Sequence, residues 1–183
     1  MENQRVRLSK TMLKNALISL LAEKNIDKIT IYELCKKAQI NRTTFYKYYG
    51  NQYDLLDEIE DDFFNQLEKY LSLYDNSELN ALHRLMDFLY SERENCKVLI
   101  NSVSDQAFCE KLFGLPAVYN LLLRYTASKY SEEQRQYVHL FFCQGGYAII
   151  RRWLNSDGSQ SPAQIAELIY SLGELLSKNQ YGF

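Results

Sequence analysis

Residues 30–50 read TIYELCKKAQINRTTFYKYYG, and this stretch decides the fold of the N-terminal part of the chain. Thr30 and Glu33 have the spacing of a capping box, which predicts that a short helix begins there. Asn41 is the predicted N-cap of a second short helix, and this helix is predicted to end at Gly50, because glycine is common just after the last residue of a helix. Two short helices with a short break between them are the parts of a helix-turn-helix unit.

The second short helix, predicted over residues 42–49, has two chemically different faces. Phe45 and Tyr49 lie four residues apart, so both are expected to face the core. Another face carries hydroxyl groups, an aromatic ring and a cation, from Thr43, Tyr46 and Lys47. These groups match the phosphate oxygens and base edges of a DNA major groove. Arg42 adds a cation beside the helix N-terminus, which itself favours phosphate.

Helical patterns flank this unit on both sides. Leucines at helical spacing predict a helix over residues 9–24, with Ser9 as its N-cap. After the unit, Asn51 is the predicted N-cap of a long helix that reaches about Tyr74, and Asp54 stands three residues into it. This long helix leads out of the N-terminal part of the chain.

The rest of the chain is also predicted to be helical. Its segments are expected at residues 77–93, 94–103, 116–130, 131–154 and 162–177. Pro116 suits the first position of a helix, Ser131 and Gln134 form a capping-box pair, and Ser161 and Gln164 form another. The chain has only 7 Gly and 2 Pro, which also argues against an all-β fold. The predicted fold class is therefore all-α.

Charge is distributed unevenly along the chain, although the totals of 21 Lys and Arg and 23 Asp and Glu nearly balance. Residues 1–50 contain ten Lys and Arg against four Asp and Glu, whereas residues 51–183 contain eleven against nineteen. Only the basic part is therefore suited to approach phosphates. We predict a helix-turn-helix domain over residues 1–50 and a larger helical domain over residues 51–183.

Several classes of function are disfavoured by composition. The four cysteines show no C-x-x-C pair and there are two histidines, so we expect no metal, no disulfide framework and no cofactor. No apolar run approaches the roughly 18 residues that cross a bilayer, and no signal peptide is apparent, so we expect a cytoplasmic protein without a membrane partner. The chain lacks Ser-His, Cys-His or metal-ligand spacing, so we do not expect an enzyme.

The stretch around TTFYKYY resembles the N-terminal domain of the tetracycline-repressor (TetR/AcrR) family, over about residues 9–60. The resemblance implies a dimeric, all-helical bacterial transcription regulator, usually a repressor that a small ligand releases from double-stranded DNA. Carried over position by position, it implies a core role for Phe45. The DNA-binding positions that it implies are Thr30, Tyr32, Asn41, Arg42, Thr43, Thr44, Tyr46, Lys47 and Tyr48.

Two positions depart from the family pattern. Thr43 stands where many members have glycine, so base preference cannot be transferred. Gln52 replaces a common lysine, so one charged phosphate contact is absent. Arg5 and Arg7 precede the first predicted helix, and they are expected either to form an arm that enters a minor groove or to belong to a solvated tail.

The segments QGGYAIIRRWL and SPAQIAELI resemble a C-terminal domain type common in Firmicutes members of this family. We expect a twofold four-helix interface from residues 132–154 and 162–177, with Gly145 and Gly146 allowing a neighbouring helix to come close. Its candidate anchors are Trp153, Ile165, Leu168, Ile169 and Leu172. The alternative is that these residues close the core of a single copy.

The leading interpretation is a ligand-responsive homodimeric repressor that binds an inverted-repeat operator. A polar and aromatic effector pocket could draw on Tyr119, Tyr125, Tyr147, Tyr170, His83, His139, Arg84 and Gln144, and the sequence does not choose among them. The effector itself stays unknown. The alternative interpretation is a helical adaptor that binds a ligand or a protein and has lost DNA recognition, which the overall acidity and Gln52 favour.

Overall fold

The computed structural model describes residues 4–72, 78–102, 105–126, 130–157 and 159–177. Within these ranges the chain forms α-helices and no β-strand, which confirms the all-α fold class. The helices are α1 (Gln4–Leu21), α2 (Ile31–Ala38), α3 (Arg42–Phe45), α4 (Gln52–Ser72), α5 (Glu78–Ser91), α6 (Arg93–Ser102), α7 (Asp105–Gly114), α8 (Pro116–Thr126), α9 (Glu132–Asn155) and α10 (Pro162–Ser177). A 3₁₀ turn, Ile26–Lys28, lies between α1 and α2.

The chain divides into two compact units, Met1–Phe63 and Phe64–Phe183, and α4 runs from the first into the second. In the first unit α1 packs on α2 and α2 packs on α3. Its core includes side chains that are fully buried, namely Leu13, Leu17, Leu34, Phe45 and Leu55. Apolar burial of this kind is the main stabilising contribution to so small a unit.

Local capping chemistry sets the starts of α2, α3, α4, α9 and α10, as predicted. The side chains of Asn41 and Asn51 accept backbone amide hydrogens at the starts of α3 and α4. Ser131 and Ser161 each accept an amide hydrogen from the glutamine three residues on, and each glutamine side chain accepts one in return. The Thr30 hydroxyl oxygen accepts the Glu33 amide hydrogen at the start of α2. These bonds satisfy amides that have no partner within the helix.

The structure differs from the prediction at several points. Helix α1 begins at Gln4, so Ser9 lies inside it and its hydroxyl donates to the carbonyl oxygen of Arg5 instead of capping. Helix α3 ends at Phe45, and residues 46–48 continue as turns rather than as α-helix. Helix α7 was not predicted. The predicted boundaries at Tyr74, residue 77 and residue 103 lie outside the described residues.

The second unit is a helical bundle in which α10 packs against α5, α8 and α9, and α9 also packs against α6, α7 and α8. Ring contacts tie the end of α4 to this bundle, because Phe64 lies 5.1 Å from Phe108 and Tyr70 lies 5.5 Å from Phe88 between ring centroids. Gly146 allows a close approach, since an added Cβ there would lie 3.2 Å from the Phe113 ring. Gly145 has no such neighbour.

Candidate nucleic-acid interface

Helix α3 is held in place by its aromatic side chains. Phe45 is 0% exposed and Tyr49 is buried, which confirms both predicted core positions. The Phe45 ring lies 5.5 Å from the rings of Tyr46 and Tyr49. Because a helix of four residues has no stability of its own, this anchoring fixes its orientation. The residues next to Phe45 are therefore presented on a rigid support.

The opposite face of α3 and of the following turn is open to solvent. Tyr46 is 51% exposed, and Arg42, Thr43 and Lys47 are exposed as well, whereas Thr44 and Tyr48 are half-buried. Within the described part of the chain, neither Arg42 nor Lys47 forms an ion pair. The predicted cations therefore stand beside exposed hydroxyls and an exposed ring.

Helix α2 adds a second row of groups. Tyr32 is 64% exposed, and Lys36 lies one turn further along the same helix, also exposed. Lys37 instead forms an ion pair with Glu23, with 3.1 Å between the charged atoms. Lys36 was not among the predicted DNA-binding residues, although its spacing of four from Tyr32 was a signal for it.

Two of the predicted DNA-binding residues have structural roles in the caps. The Asn41 side-chain oxygen accepts the Thr43 amide hydrogen over 3.0 Å, and the Thr30 hydroxyl oxygen accepts the Glu33 amide hydrogen over 3.2 Å. In both side chains the acceptor oxygen is used, while the amide hydrogens of Asn41 and the hydroxyl hydrogen of Thr30 can still be donated to phosphate.

Part of the basic charge of the first unit is used internally. Lys14 contacts Glu58 at 2.7 Å and Asp62 at 2.5 Å, and Lys10 contacts Glu58 at 3.3 Å, so both lysines join α1 to α4. Arg5 and Arg7 lie within α1. They are therefore neither a flexible arm nor a tail, because the helix begins before them.

Another lysine stabilises the start of α2. Lys24 donates to both carboxylate oxygens of Glu33 over 2.6 and 2.7 Å, and this contact lowers the pKa of Glu33. The Glu33 carboxylate therefore pairs mainly with Lys24, and a weaker hydrogen bond from the Thr30 backbone also lowers its pKa. Burial raises the pKa of the Cys35 thiol, and the nearby Arg42 guanidinium offsets this only in part.

The segment after α3 is fixed by Asp54. One of its carboxylate oxygens accepts the amide hydrogen of Gly50 over 2.7 Å and that of Asn51 over 3.3 Å. Gly50 does not have the left-handed backbone of a helix-ending glycine; an added Cβ would lie 3.0 Å from this carboxylate. The Tyr53 hydroxyl donates to Asp27 and thereby ties α4 to the 3₁₀ turn.

In the second unit the five candidate interface anchors separate into two groups. Trp153 is 3% exposed; its indole N–H donates to the Gln160 carbonyl oxygen over 2.9 Å, and Ile165 is buried too. Both side chains are therefore buried within a single copy. Leu168 and Leu172 are exposed and Ile169 is half-buried.

Exposed apolar side chains recur at helical spacing on the same two helices. They are Tyr137, Leu140 and Phe141 on α9 and Leu168, Leu172 and Leu175 on α10. Large apolar side chains gathered on one face of a chain are typical of an interaction surface. We refer to these six residues as the apolar face.

A cavity of about 560 Å³ lies in the second unit, enclosed by α5, α7, α8, α9 and α10. Its described lining residues are aliphatic, aromatic or glycine. None of the eight polar and aromatic candidates for the effector pocket is among these lining residues. Two of them, Gln144 and Tyr147, line a separate polar cleft. The Tyr119 ring instead lies 5.6 Å from the His139 ring, and the Tyr125 side chain is outside the described residues. The predicted polar pocket is not the cavity that the bundle forms.

The described residues contain no group of three or more His, Cys, Asp or Glu suited to a metal ion. They also contain no helix with the length and apolar character needed to cross a bilayer.

Comparison with known proteins gives the class of the chain. Residues 15–59 match a family described as bacterial regulatory proteins, tetR family, and residues 76–174 match a transcriptional regulator C-terminal region. The second match covers more than half of the chain. The chain therefore belongs to the tetR family of bacterial transcriptional regulators.

Individual similar proteins support this membership. An uncharacterized HTH-type transcriptional regulator of Bacillus subtilis strain 168, YxbF, is 25% identical over 181 residues. That match covers 94% of this chain and 46% of YxbF, so the chain spans about half the length of its curated relative.

Solved structures share the fold. A TetR transcriptional regulator from Streptococcus agalactiae 2603V has a TM-score of 0.76 and 21% identity, covering 93% of this chain and 96% of its own. Thermus thermophilus FadR, a TetR-family repressor in complex with lauroyl-CoA, has a TM-score of 0.52 and 16% identity, covering 94% and 97%.

Proposed function

We propose that this protein is a homodimeric repressor that binds an inverted-repeat operator in double-stranded DNA and releases it when a small effector binds. The observation that carries the proposal is the exposed face formed by Arg42, Thr43, Tyr46 and Lys47 beside the buried Phe45. Cations and hydroxyl donors on a rigid short helix suit phosphates and base edges in a major groove.

Residues 1–50 are the proposed DNA-binding domain, and residues 51–183 are the proposed dimerisation and effector-binding domain. On the DNA side, Thr30, Asn41 and Thr44 are proposed to position the backbone, and Tyr32 and Tyr48 to contact the duplex beside α3. Lys36 joins this set because it is exposed one turn from Tyr32. The acidic remainder of the chain is repelled by phosphate, which favours one orientation on DNA.

The apolar face is the proposed contact between two copies. Phe141 and Leu175 are 63% and 71% exposed, and burying such side chains against their equivalents would be favourable by roughly 1.5–3 kcal/mol for each. Leu168, Ile169 and Leu172 remain proposed anchors of the dimer. Trp153 and Ile165 are buried and are proposed to hold α9 and α10 in position for this interface. Twofold symmetry pairs two α3 helices, so an operator with half-sites ~34 Å or more apart is expected.

Effector response is proposed for the cavity in the second unit. Its volume of about 560 Å³ falls within the roughly 300–1,000 Å³ of small-molecule sites. The FadR structure of the same fold is described with lauroyl-CoA bound. An effector acts only through a difference in its affinity for two conformations, so ligand binding and DNA binding must oppose each other. We place the protein in the cytoplasm, without a catalytic role.

Selection of bound fragments from the host's genomic DNA tests the proposal. The expected result is a short inverted repeat whose affinity falls steeply as salt rises, because bound cations displace counterions from DNA. Arg42→Ala and Tyr46→Ala should weaken binding to this repeat. Lys69→Ala changes an exposed lysine in the second unit and is the matched control. Recovery of no enriched sequence would support the adaptor interpretation instead.

A further inference from the structure

The cavity of the second unit has a buried floor and an exposed rim. Met86, Val118 and Ile150 form part of the floor and are buried. Phe141 and Leu175 also line the cavity, yet both are largely exposed. The cavity therefore opens on the side of α9 and α10, where the apolar face lies.

The lining determines which molecules can enter. The described lining residues offer no charged group and no polar side chain. A charged group placed inside would lose its hydration and gain no partner, which is strongly unfavourable. An uncharged apolar molecule would instead be stabilised further by each CH₂ group that it buries.

We infer that this cavity binds an uncharged apolar molecule and that a second copy of the chain closes its rim. The inference rests on the proposed homodimer, because Phe141, Leu172 and Leu175 belong both to the rim and to the apolar face. A site completed by two copies is stronger in the dimer than in one copy. Ligand binding and dimer formation therefore stabilise each other.

The first experiment measures the ligand class in the full chain. N-phenyl-1-naphthylamine, an uncharged probe that fluoresces in apolar surroundings, is bound to the protein and then displaced. We expect 1-dodecanol to displace it at a concentration at least tenfold lower than dodecanoate, which has the same chain length and a charged head. If the two compounds displaced the probe at equal concentrations, the claim that the rim is closed would be wrong, because the charged head of dodecanoate would then be reaching water. An absence of probe fluorescence would overturn the cavity site itself.

Filling variants locate the probe. Gly145→Leu reduces the cavity at its rim, where an added Cβ meets no atom within 4 Å, and Val118→Phe reduces it at its floor. Gly114→Leu is the matched control, because that glycine also has open space and does not line the cavity. Both filling variants should weaken probe binding at least tenfold, with helical circular dichroism retained. Parent-like binding by folded Gly145→Leu and Val118→Phe would refute the assignment.

The role of the second copy is tested at a residue outside the cavity. Leu168 belongs to the apolar face but does not line the cavity, so Leu168→Asp should separate the copies without touching the ligand. Leu8→Asp is the control, because it changes another exposed leucine, which lies on α1 and is 61% exposed against 42% for Leu168. Monomeric Leu168→Asp should bind the probe at least tenfold more weakly, and unchanged affinity in that monomer would overturn closure by a second copy.

Binding of unliganded parent protein to its selected DNA fragment is measured separately. A protein that binds the fragment but not the probe would refute this inference and leave the proposed regulatory function intact. A protein that binds the probe but no fragment would refute DNA regulation and leave the cavity assignment intact.

Discussion

Two neighbouring residues, Phe45 and Tyr46, are predicted to affect stability and DNA binding in opposite ways. Phe45 is 0% exposed, so Phe45→Ala should lower the free energy of unfolding by about 3–5 kcal/mol, the usual cost of removing a buried phenylalanine ring. Tyr46 is half exposed and contributes one edge-on ring contact with Phe45, so Tyr46→Ala should cost only about 1 kcal/mol.

Urea unfolding followed by circular dichroism measures the first quantity, and fluorescence anisotropy with the selected fragment measures the second. Phe45→Leu keeps an apolar side chain and should recover most of the stability. Tyr46→Ala should stay folded while DNA affinity falls at least tenfold, equal to about 1.4 kcal/mol. If Tyr46→Ala destabilised the protein as much as Phe45→Ala and left DNA affinity unchanged, the assignment of the two faces would be wrong.

Three further predictions concern other contacts. Trp153→Ala should destabilise the second unit by about 3–5 kcal/mol. Leu168→Asp should abolish the dimer in sedimentation and leave the monomer folded. An unfolded Leu168→Asp and a stable Trp153→Ala without a dimer would contradict the placement of Trp153 in the core and of Leu168 at the interface. Burial opposes ionisation of Glu58, but hydrogen bonds from Lys14 and Tyr49 outweigh it and hold the pKa of Glu58 below 4.5. Stability from this group is therefore present above pH 4.5 and lost as pH falls through the lowered pKa. Glu58→Gln should make the melting temperature depend less on pH in the acid range. The same pH dependence in Glu58→Gln and in the parent would contradict this prediction. Asp54→Ala should cost about 1 kcal/mol of stability and weaken DNA binding, with a smaller loss for Asp54→Asn; equal losses would show that the charge is unimportant.

Helix starts were predictable because their chemistry is local. Ser131 and Ser161 each need only a glutamine three residues away, and this pattern is visible in the sequence. The start of α1 was missed because the apolar residues Val6 and Leu8 near its N-terminus are two positions apart, which is not a helical spacing. The early end of α3 at Phe45 was also missed, since side-chain periodicity does not separate an α-helical turn from the tighter turns that follow it.

The exposed face was predictable for a similar reason. A spacing of four puts Phe45 and Tyr49 on one side, which leaves Tyr46 and Lys47 for the other. Lys36 was missed because an isolated lysine on a helix is usually only solvated. Because the structure shows that Lys36 and Tyr32 are both exposed one turn apart on α2, both are available to contact a duplex.

The second unit shows where sequence reasoning ends. Trp153 and Leu168 both fit an apolar stripe, and the stripe does not distinguish a contact within one copy from a contact between two. The cavity was also not predictable, because its wall is assembled from five helices that are distant in sequence. The polar residues expected to line it, such as Gln144 and His139, lie elsewhere.

The most direct test of the central claim is the salt dependence of DNA binding by Lys47→Ala. If the Lys47 side chain contacts phosphate from the exposed face of α3 and the following turn, the slope of log affinity against log salt should fall in magnitude by about one relative to the parent. Lys69→Ala should leave the slope unchanged. A parental slope and parental affinity in Lys47→Ala would contradict the claim that this face meets the duplex.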